Sequence, residues 1–182
     1  MSKKLIYLGF SEEEKRILTE LCKDFEIKTR ELKKEDYNEK IGYLLGIENF
    51  KHNEDINKND FSQIQFALFS DFDRDYMKKF LLKLKERGLV ISHKAVQTQK
   101  NIDWTLSYLL KHIEDERRLL IKFKNLGILV KKAQNLIDED ESKKDLKILL
   151  DRAYALQNQV IDEKKLDKIR EDLSKYLQKF NR

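Results

Sequence analysis

The 182-residue chain contains no proline, five glycines and one cysteine. Without proline nothing in the sequence forces a helix to stop or a turn to stiffen, so long helices are expected. Five glycines exclude collagen-like and glycine-rich low-complexity chains, and a lone Cys22 excludes both a disulfide scaffold and a thiolate metal cluster. Cys22 falls in an apolar helical stretch, where a cysteine serves as a small buried side chain rather than a nucleophile. No apolar run reaches the length needed to span a bilayer, and the run after the basic start Ser2-Lys3-Lys4 is too short for a secretory leader. No membrane association and a cytoplasmic location are therefore the expectation. His52, His93 and His112 are dispersed without ligand spacing, and Asp138–Glu141 lacks the glycine of a calcium loop, so no metal is expected. Glycine-rich phosphate loops, nucleophile elbows and Cys/His pairs are missing too, which disfavours an enzyme and implies no cofactor.

What is present is charge. Lys and Arg number 38 and Asp and Glu 33, giving a net +5 and a charged fraction of 39% beside 40% hydrophobic residues. Most of the basic excess sits in residues 111–182, which hold 18 basic and 14 acidic side chains. Its basic pairs Arg117-Arg118, Lys131-Lys132, Lys143-Lys144 and Lys164-Lys165 are interleaved with acids, the pattern of solvated helix faces rather than of a nucleic-acid stripe.

The N-terminal part reads as alternating strands and helices. Leu5–Leu8 is a short apolar run ending at Gly9-Phe10-Ser11, and Ser11 with Glu14 forms a capping box for a helix carrying Ile17, Leu18, Leu21 and Phe25. A second strand over 26–32 is expected at a sheet edge. Tyr37, Ile41, Leu44 and Leu45 suit a further amphipathic helix closed by Gly46, and residues 48–63 read as a connection. The opening pattern then returns: Phe66–Phe69 is apolar, Asp73 caps a helix carrying Tyr76, Met77, Phe80, Leu81 and Leu84, Gly88 ends it, and a strand covers 89–96. Gly9-Phe10-Ser11 and Asp71-Phe72-Asp73 occupy matching places in two βαβ-like units, for which parallel strands with right-handed crossovers are expected.

From Asn101 onward the pattern is helical. A helix capped by Asn101 or Asp103 carries Trp104, Leu106, Leu109, Leu110 and Ile113. The charged stretch Glu114–Arg118 interrupts its stripe, which restarts at Leu119, Leu120 and Phe123 and runs to Ile137. Two further amphipathic helices follow, one capped near Ser142 or Asp145 and one started by Asp162. The expected architecture is thus an α/β domain over 1–116, with a small, mostly parallel sheet of about four strands. An antiparallel three-helix bundle follows over 117–182.

The run Lys94-Ala95-Val96-Gln97-Thr98-Gln99-Lys100-Asn101-Ile102-Asp103-Trp104-Thr105-Leu106 resembles the bacterial family labelled domain of unknown function 3783. That family's pattern is Lys-Ala-Val, a Thr-rich turn, Asn and a Trp-Thr-Leu helix start. Phe66–Leu84 and Lys40–Gly46 are similar to its preceding segments, so the resemblance covers about residues 1–116. Gln99 stands where the family has proline, which implies a looser turn, and the resemblance implies no activity. The helices after 116 resemble bacterial surface-protein three-helix modules in apolar pattern alone.

Two groups have the chemistry of a site. Lys94, Thr98 and Asn101, with Trp104, surround a strand end and helix start, where free amides, a cation and hydroxyls suit an anion or phosphate. The same residues also have structural duties, as caps, as core and as a snorkelling lysine. Ser70 and Asp71 lie at a strand's carboxyl end, where open α/β sheets bind ligands. The leading expectation is a non-enzymatic protein-interaction or regulatory module whose partner is another protein or a second copy. The alternative is binding of a nucleic acid, itself disfavoured, or of a phosphorylated small molecule through the 94–104 turn.

Overall fold

The computed structural model describes residues 2–53, 61, 64–139, 143–156 and 162–179. They form two compact units, 1–113 and 114–182. The first contains β1 (Lys4–Leu8), α1 (Glu12–Asp24), β2 (Lys28–Glu31), a 3-10 turn (Lys34–Asn38), α2 (Ile41–Leu44), β3 (Phe66–Ser70), α3 (Arg74–Glu86), β4 (His93–Val96) and a second 3-10 turn (Asn101–Asp103). The helix α4 (Leu106–Glu139) crosses the division between the units, and α5 (Lys144–Ala155) and α6 (Glu163–Gln178) complete the second.

The sheet order is β2-β1-β3-β4. β1 pairs with β2 in parallel and β3 with β4 in parallel, but the central pair β1–β3 is antiparallel, with Ile6 opposite Leu68. The sheet is thus mostly parallel, as expected, with two of its three pairings parallel, and the antiparallel central pair makes it mixed. Each βαβ unit is parallel within itself, and the two meet antiparallel. The carboxyl ends of β1 and β3, marked by Gly9 and Asp71, consequently lie at opposite ends of the strands.

Burial follows this order. Leu5–Leu8 and Phe66–Phe69 are apolar throughout because the central strands are covered on both faces. Leu5, Tyr7, Ala67 and Phe69 pack with Leu18, Cys22, Phe80 and Leu84 of α1 and α3. Ile6, Leu8, Phe66 and Leu68 face the cluster of Tyr37, Ile41, Leu44, Phe61, Ile64, Leu106, Leu109 and Leu110 on the other side. The edge strand β2, Lys28-Thr29-Arg30-Glu31, is exposed along its whole length, and its charges discourage further strand pairing.

The two halves correspond almost residue for residue. Both α1 and α3 run for 13 residues behind side-chain caps: Ser11 accepts from Glu14 N within a capping box, and Asp73 accepts from Tyr76 N. Gly9 (φ 75°) corresponds to Asp71 (φ 61°), and Glu26 (φ 52°) to Gly88 (φ 84°), so the left-handed turn before and after each helix recurs. Beyond β2 and β4 the match continues. Lys33 N donates to Asp36 Oδ2 at 2.8 Å, and Thr98 N to Asn101 Oδ1 at 2.8 Å. Lys40 and Thr105 form an antiparallel bridge, flanked by Ile41 N to Trp104 O and Leu106 N to Glu39 O, each 2.9 Å. Lys40-Ile41-Gly42-Tyr43-Leu44-Leu45 and Thr105-Leu106-Ser107-Tyr108-Leu109-Leu110 are thus equivalent segments meeting at the junction of the repeat.

This junction explains two departures from the sequence reading. The helix expected from Tyr37 is a 3-10 turn followed by the single turn α2, because Lys40 is extended to make the bridge. α4 starts at Leu106 rather than at Asn101 or Asp103, since Thr105 is held extended and its hydroxyl accepts from Tyr108 N at 3.2 Å. The strand expected over 89–96 shortens to His93–Val96, with Leu89 and Ile91 serving as core.

In the second unit α4, α5 and α6 share a cluster centred on Leu126, Ala133, Leu146, Leu150, Leu166, Ile169, Leu173 and Leu177. Asp162 caps α6 by accepting from Lys164 N and Lys165 N. α5 starts after Lys143 with no side-chain cap, and Ser142 lies outside the described residues.

Candidate functional site

The turn after β4 is closed on itself. Asn101 is buried; its Oδ1 accepts from Thr98 N, its Nδ2 donates to Val96 O at 2.9 Å, and its backbone N donates to Thr98 Oγ1 at 3.1 Å. Asp36 makes the equivalent closure in the first half, where it also pairs with Arg30 at 2.6 Å. The amides of Thr98 and Asn101 are therefore spent on the turn itself. Lys94 is exposed on β4, and its Nζ donates to Ile91 O at 2.5 Å, toward the amino end of the strand and away from Thr98 and Asn101. Trp104 packs on the core beside Tyr108, with Lys100 Nζ 5.9 Å from its ring centre.

Ser70 and Asp71 open instead into a cavity of about 630 Å³, which also takes in Lys4 of β1, Gly46 and Glu48 after α2, and Gln97 after β4. Ser70 is 2% exposed, and its hydroxyl lies 2.5 Å from Gln97 Oε1 and 3.4 Å from Asp71 Oδ2. Since a carbonyl oxygen can only accept, the serine donates to Gln97. The Gln97 Nε2 group donates to no described residue. Lys4 Nζ donates to Leu45 O, which leaves two of its three N–H bonds for other acceptors. Asp71 and Glu48 form no ion pair with a described residue. Lys94 does not line this cavity, so the structure unites Ser70 with Asp71 but separates both from Lys94, Thr98 and Asn101.

Sequence reasoning missed Lys4, Glu48 and Gln97. In the sequence Lys4 belongs to the basic start before the first apolar run, Glu48 to a connection, and Gln97 to a turn. The signal that could have found Gln97 is the repeat. Aligned on the two helices and junction segments, Ser70 and Gln97 take the places of Leu8 and Leu32, both buried in the first half.

A second polar cluster lies on the return from α2. The Glu39 carboxylate is 2% exposed, sits against His52 Nδ1 and accepts from Asn53 N at 3.1 Å. These bonds fasten residues 52–53 to the junction, which is a structural duty. Cys22 is buried and its thiol pKa is pushed up to about 12 by loss of solvent, so it is not a thiolate nucleophile. Among the described residues no three His, Cys, Asp or Glu side chains gather to hold a metal, and no helix is long and apolar enough to cross a membrane. Grooves on the second unit, of about 440 and 370 Å³, are open, and the larger is lined by charges already paired with one another, Asp167 with Arg170 and Glu171 with Lys175.

Fold and cavity together define an α/β protein built as an internal repeat on a four-stranded mixed sheet. Residues 65–120 match the family described as Domain of unknown function (DUF3783). The match covers the second half of the repeat and the start of α4; the first half, where the resemblance was also expected, lies outside it. No curated protein and no solved structure matches the chain.

Proposed function

We propose that the protein is a non-enzymatic interaction module whose α4 docks a partner protein presenting an acidic face with an apolar centre. The observation that carries this reading is on the outer face of α4. Ile121 and Ile128 are each 50% exposed, and Leu120 beside them is 68% exposed, although α4 already buries Leu126 and Ala133 in its own unit. Arg117, Lys124 and Lys131 follow the same i, i+7 spacing alongside the isoleucines and are exposed. An apolar centre with a basic border favours an acidic amphipathic partner by charge complementarity. A second copy docking through this face would set like charges against each other, and an isoleucine stripe offers nothing to phosphate.

The scaffold for that face is read as an antiparallel three-helix bundle. Arg118 meets Glu163 at 3.1 Å, and Lys122 meets Glu163 at 2.8 Å and Asp167 at 2.5 Å. These contacts advance together along α4 and α6, as expected when the first and third helices of an up-down-up bundle run the same way. The phosphate reading of the 94–104 turn is weaker, because Thr98 N and Asn101 N close the turn and Lys94 reaches back to Ile91 O.

The test is fluorescence anisotropy of the full chain with a labelled helical peptide bearing a leucine stripe edged by glutamates. Binding should weaken with salt and be lost in I121E/I128E. Absence of binding, or a dimer detected by light scattering and abolished by the same pair, would overturn the proposal.

A further inference from the structure

The geometry points to the Ser70–Gln97 cavity as a binding site for a small zwitterion carrying both an ammonium and a carboxylate group, of the free amino-acid class. The argument begins from the repeat. In the first half the equivalent space is solid: Leu8, Leu32 and Tyr37 pack against Phe61 and Ile64, and the Ile64 carbonyl lies so close that a methyl group on Gly9 would meet it at 2.0 Å. In the second half Ser70, Gln97 and Ile102 stand at the positions of Leu8, Leu32 and Tyr37, and the space is a cavity. Exchanging two core leucines for a hydroxyl and an amide, and leaving the volume unfilled, sacrifices apolar burial and packing that the same backbone demonstrably supports. Asp71 adds to this sacrifice by holding a left-handed φ of 61°, where its counterpart is Gly9. Three departures from the first half converge on one cavity of a size that suits small molecules.

The polar groups indicate the ligand. Asp71 and Glu48 have no described cationic partner and can accept from an ammonium. Lys4 Nζ and Gln97 Nε2 retain free N–H donors for a carboxylate, and the Ser70 hydroxyl holds the Gln97 carbonyl so that its N–H₂ group is oriented. Ile47 and Ile102 supply an apolar wall. Charges of both signs disfavour a purely anionic ligand such as phosphate and a purely cationic one such as a polyamine. The site belongs to the first unit and is independent of the α4 face proposed above.

The experiment is an amide-resolved NMR titration of the isotopically labelled full chain with individual L-amino acids, with inorganic phosphate and spermidine as single-charge probes. At least one amino acid should shift the amides of Ser70, Asp71 and Gln97 more strongly than either probe. D71G should weaken that binding by about tenfold or more while raising the urea midpoint, because the variant restores the residue that already occupies this turn in the first half. Q97L, which restores the first half's leucine, should also weaken it. Absence of any amino-acid response at these amides, binding unchanged in D71G, or an equal response to phosphate or spermidine would each overturn the assignment.

Discussion

Gly9→Ala places a methyl carbon 2.0 Å from the Ile64 carbonyl oxygen and 2.7 Å from its carbon. The obstacle is backbone, which cannot rotate aside, so the segment carrying Ile64 must move. Two costs add. A left-handed φ of 75° costs an alanine about 1–2 kcal/mol. Displacing the segment also partly exposes Ile64 and Phe61, which are 8% and 7% exposed in the native cluster, and losing half the burial of each costs about 2 kcal/mol in total. The sum is about 3–4 kcal/mol, a large share of the stability of an ordinary domain. Gly88→Ala is the control: its φ is 84°, but nothing lies within 4 Å of the added carbon, so only the cost of about 1–2 kcal/mol applies. Urea unfolding followed by Trp104 fluorescence isolates this unit, because the sole tryptophan packs on the same cluster as Ile64 and Phe61. Loss of stability in G9A equal to that in G88A, within about 0.5 kcal/mol, would refute the claim that the first half is sealed by a close crossing of the chain.

Two more outcomes are expected from the titratable groups. Glu163 is held at about 2, below its ordinary 4.5, chiefly by its hydrogen bond with Lys122 and then by that with Arg118. A carboxylate depressed on folding adds stability above its unfolded pKa and loses it as pH falls through the folded one, so acid should weaken the second unit progressively between about 4.5 and 2. Circular dichroism of E163Q should show a shallower loss over that window; an unchanged profile would remove Glu163 from the account. Cys22 should resist a thiol reagent in the native chain and react stoichiometrically in urea, with the two transitions followed by thiol titration. Rapid native labelling would show that α1 opens without global unfolding.

Much of the local structure was legible because its causes are local. The Ser11–Glu14 box, the Asp73 and Asp162 caps and the apolar faces of α1 and α3 depend on residues within a turn of one another, and each stands where its pattern places it. The direction of β3 against β1 was not legible, since an apolar run of Phe-Ala-Leu-Phe satisfies parallel and antiparallel neighbours alike. The short α2 and late start of α4 escaped notice for a related reason: both are set by the Lys40–Thr105 bridge, whose partners are distant in sequence. The candidate site divided along the same line. Thr98 and Asn101 were recognisable as polar turn residues, but which backbone groups they satisfy depended on how the turn folds. Lys94 could be placed on a strand, but not aimed; it bonds Ile91 O rather than a ligand space.

By itself the sequence determined composition-level facts and local ones. It specified a proline-free, charge-interleaved chain, two βα units opening on similar turns, helical material after residue 101 and a single cysteine destined for burial. Only the tertiary structure decided that these units pair antiparallel across β1 and β3, which makes them halves of one repeat and sends their turns to opposite ends of the strands. It also decided that the first half closes over Phe61 and Ile64 while the second leaves Lys4, Ser70, Asp71 and Gln97 around a cavity. The physical reason is that caps and periodicity are written over three or four residues, whereas strand direction, chain crossing and cavity lining depend on contacts between segments tens of residues apart.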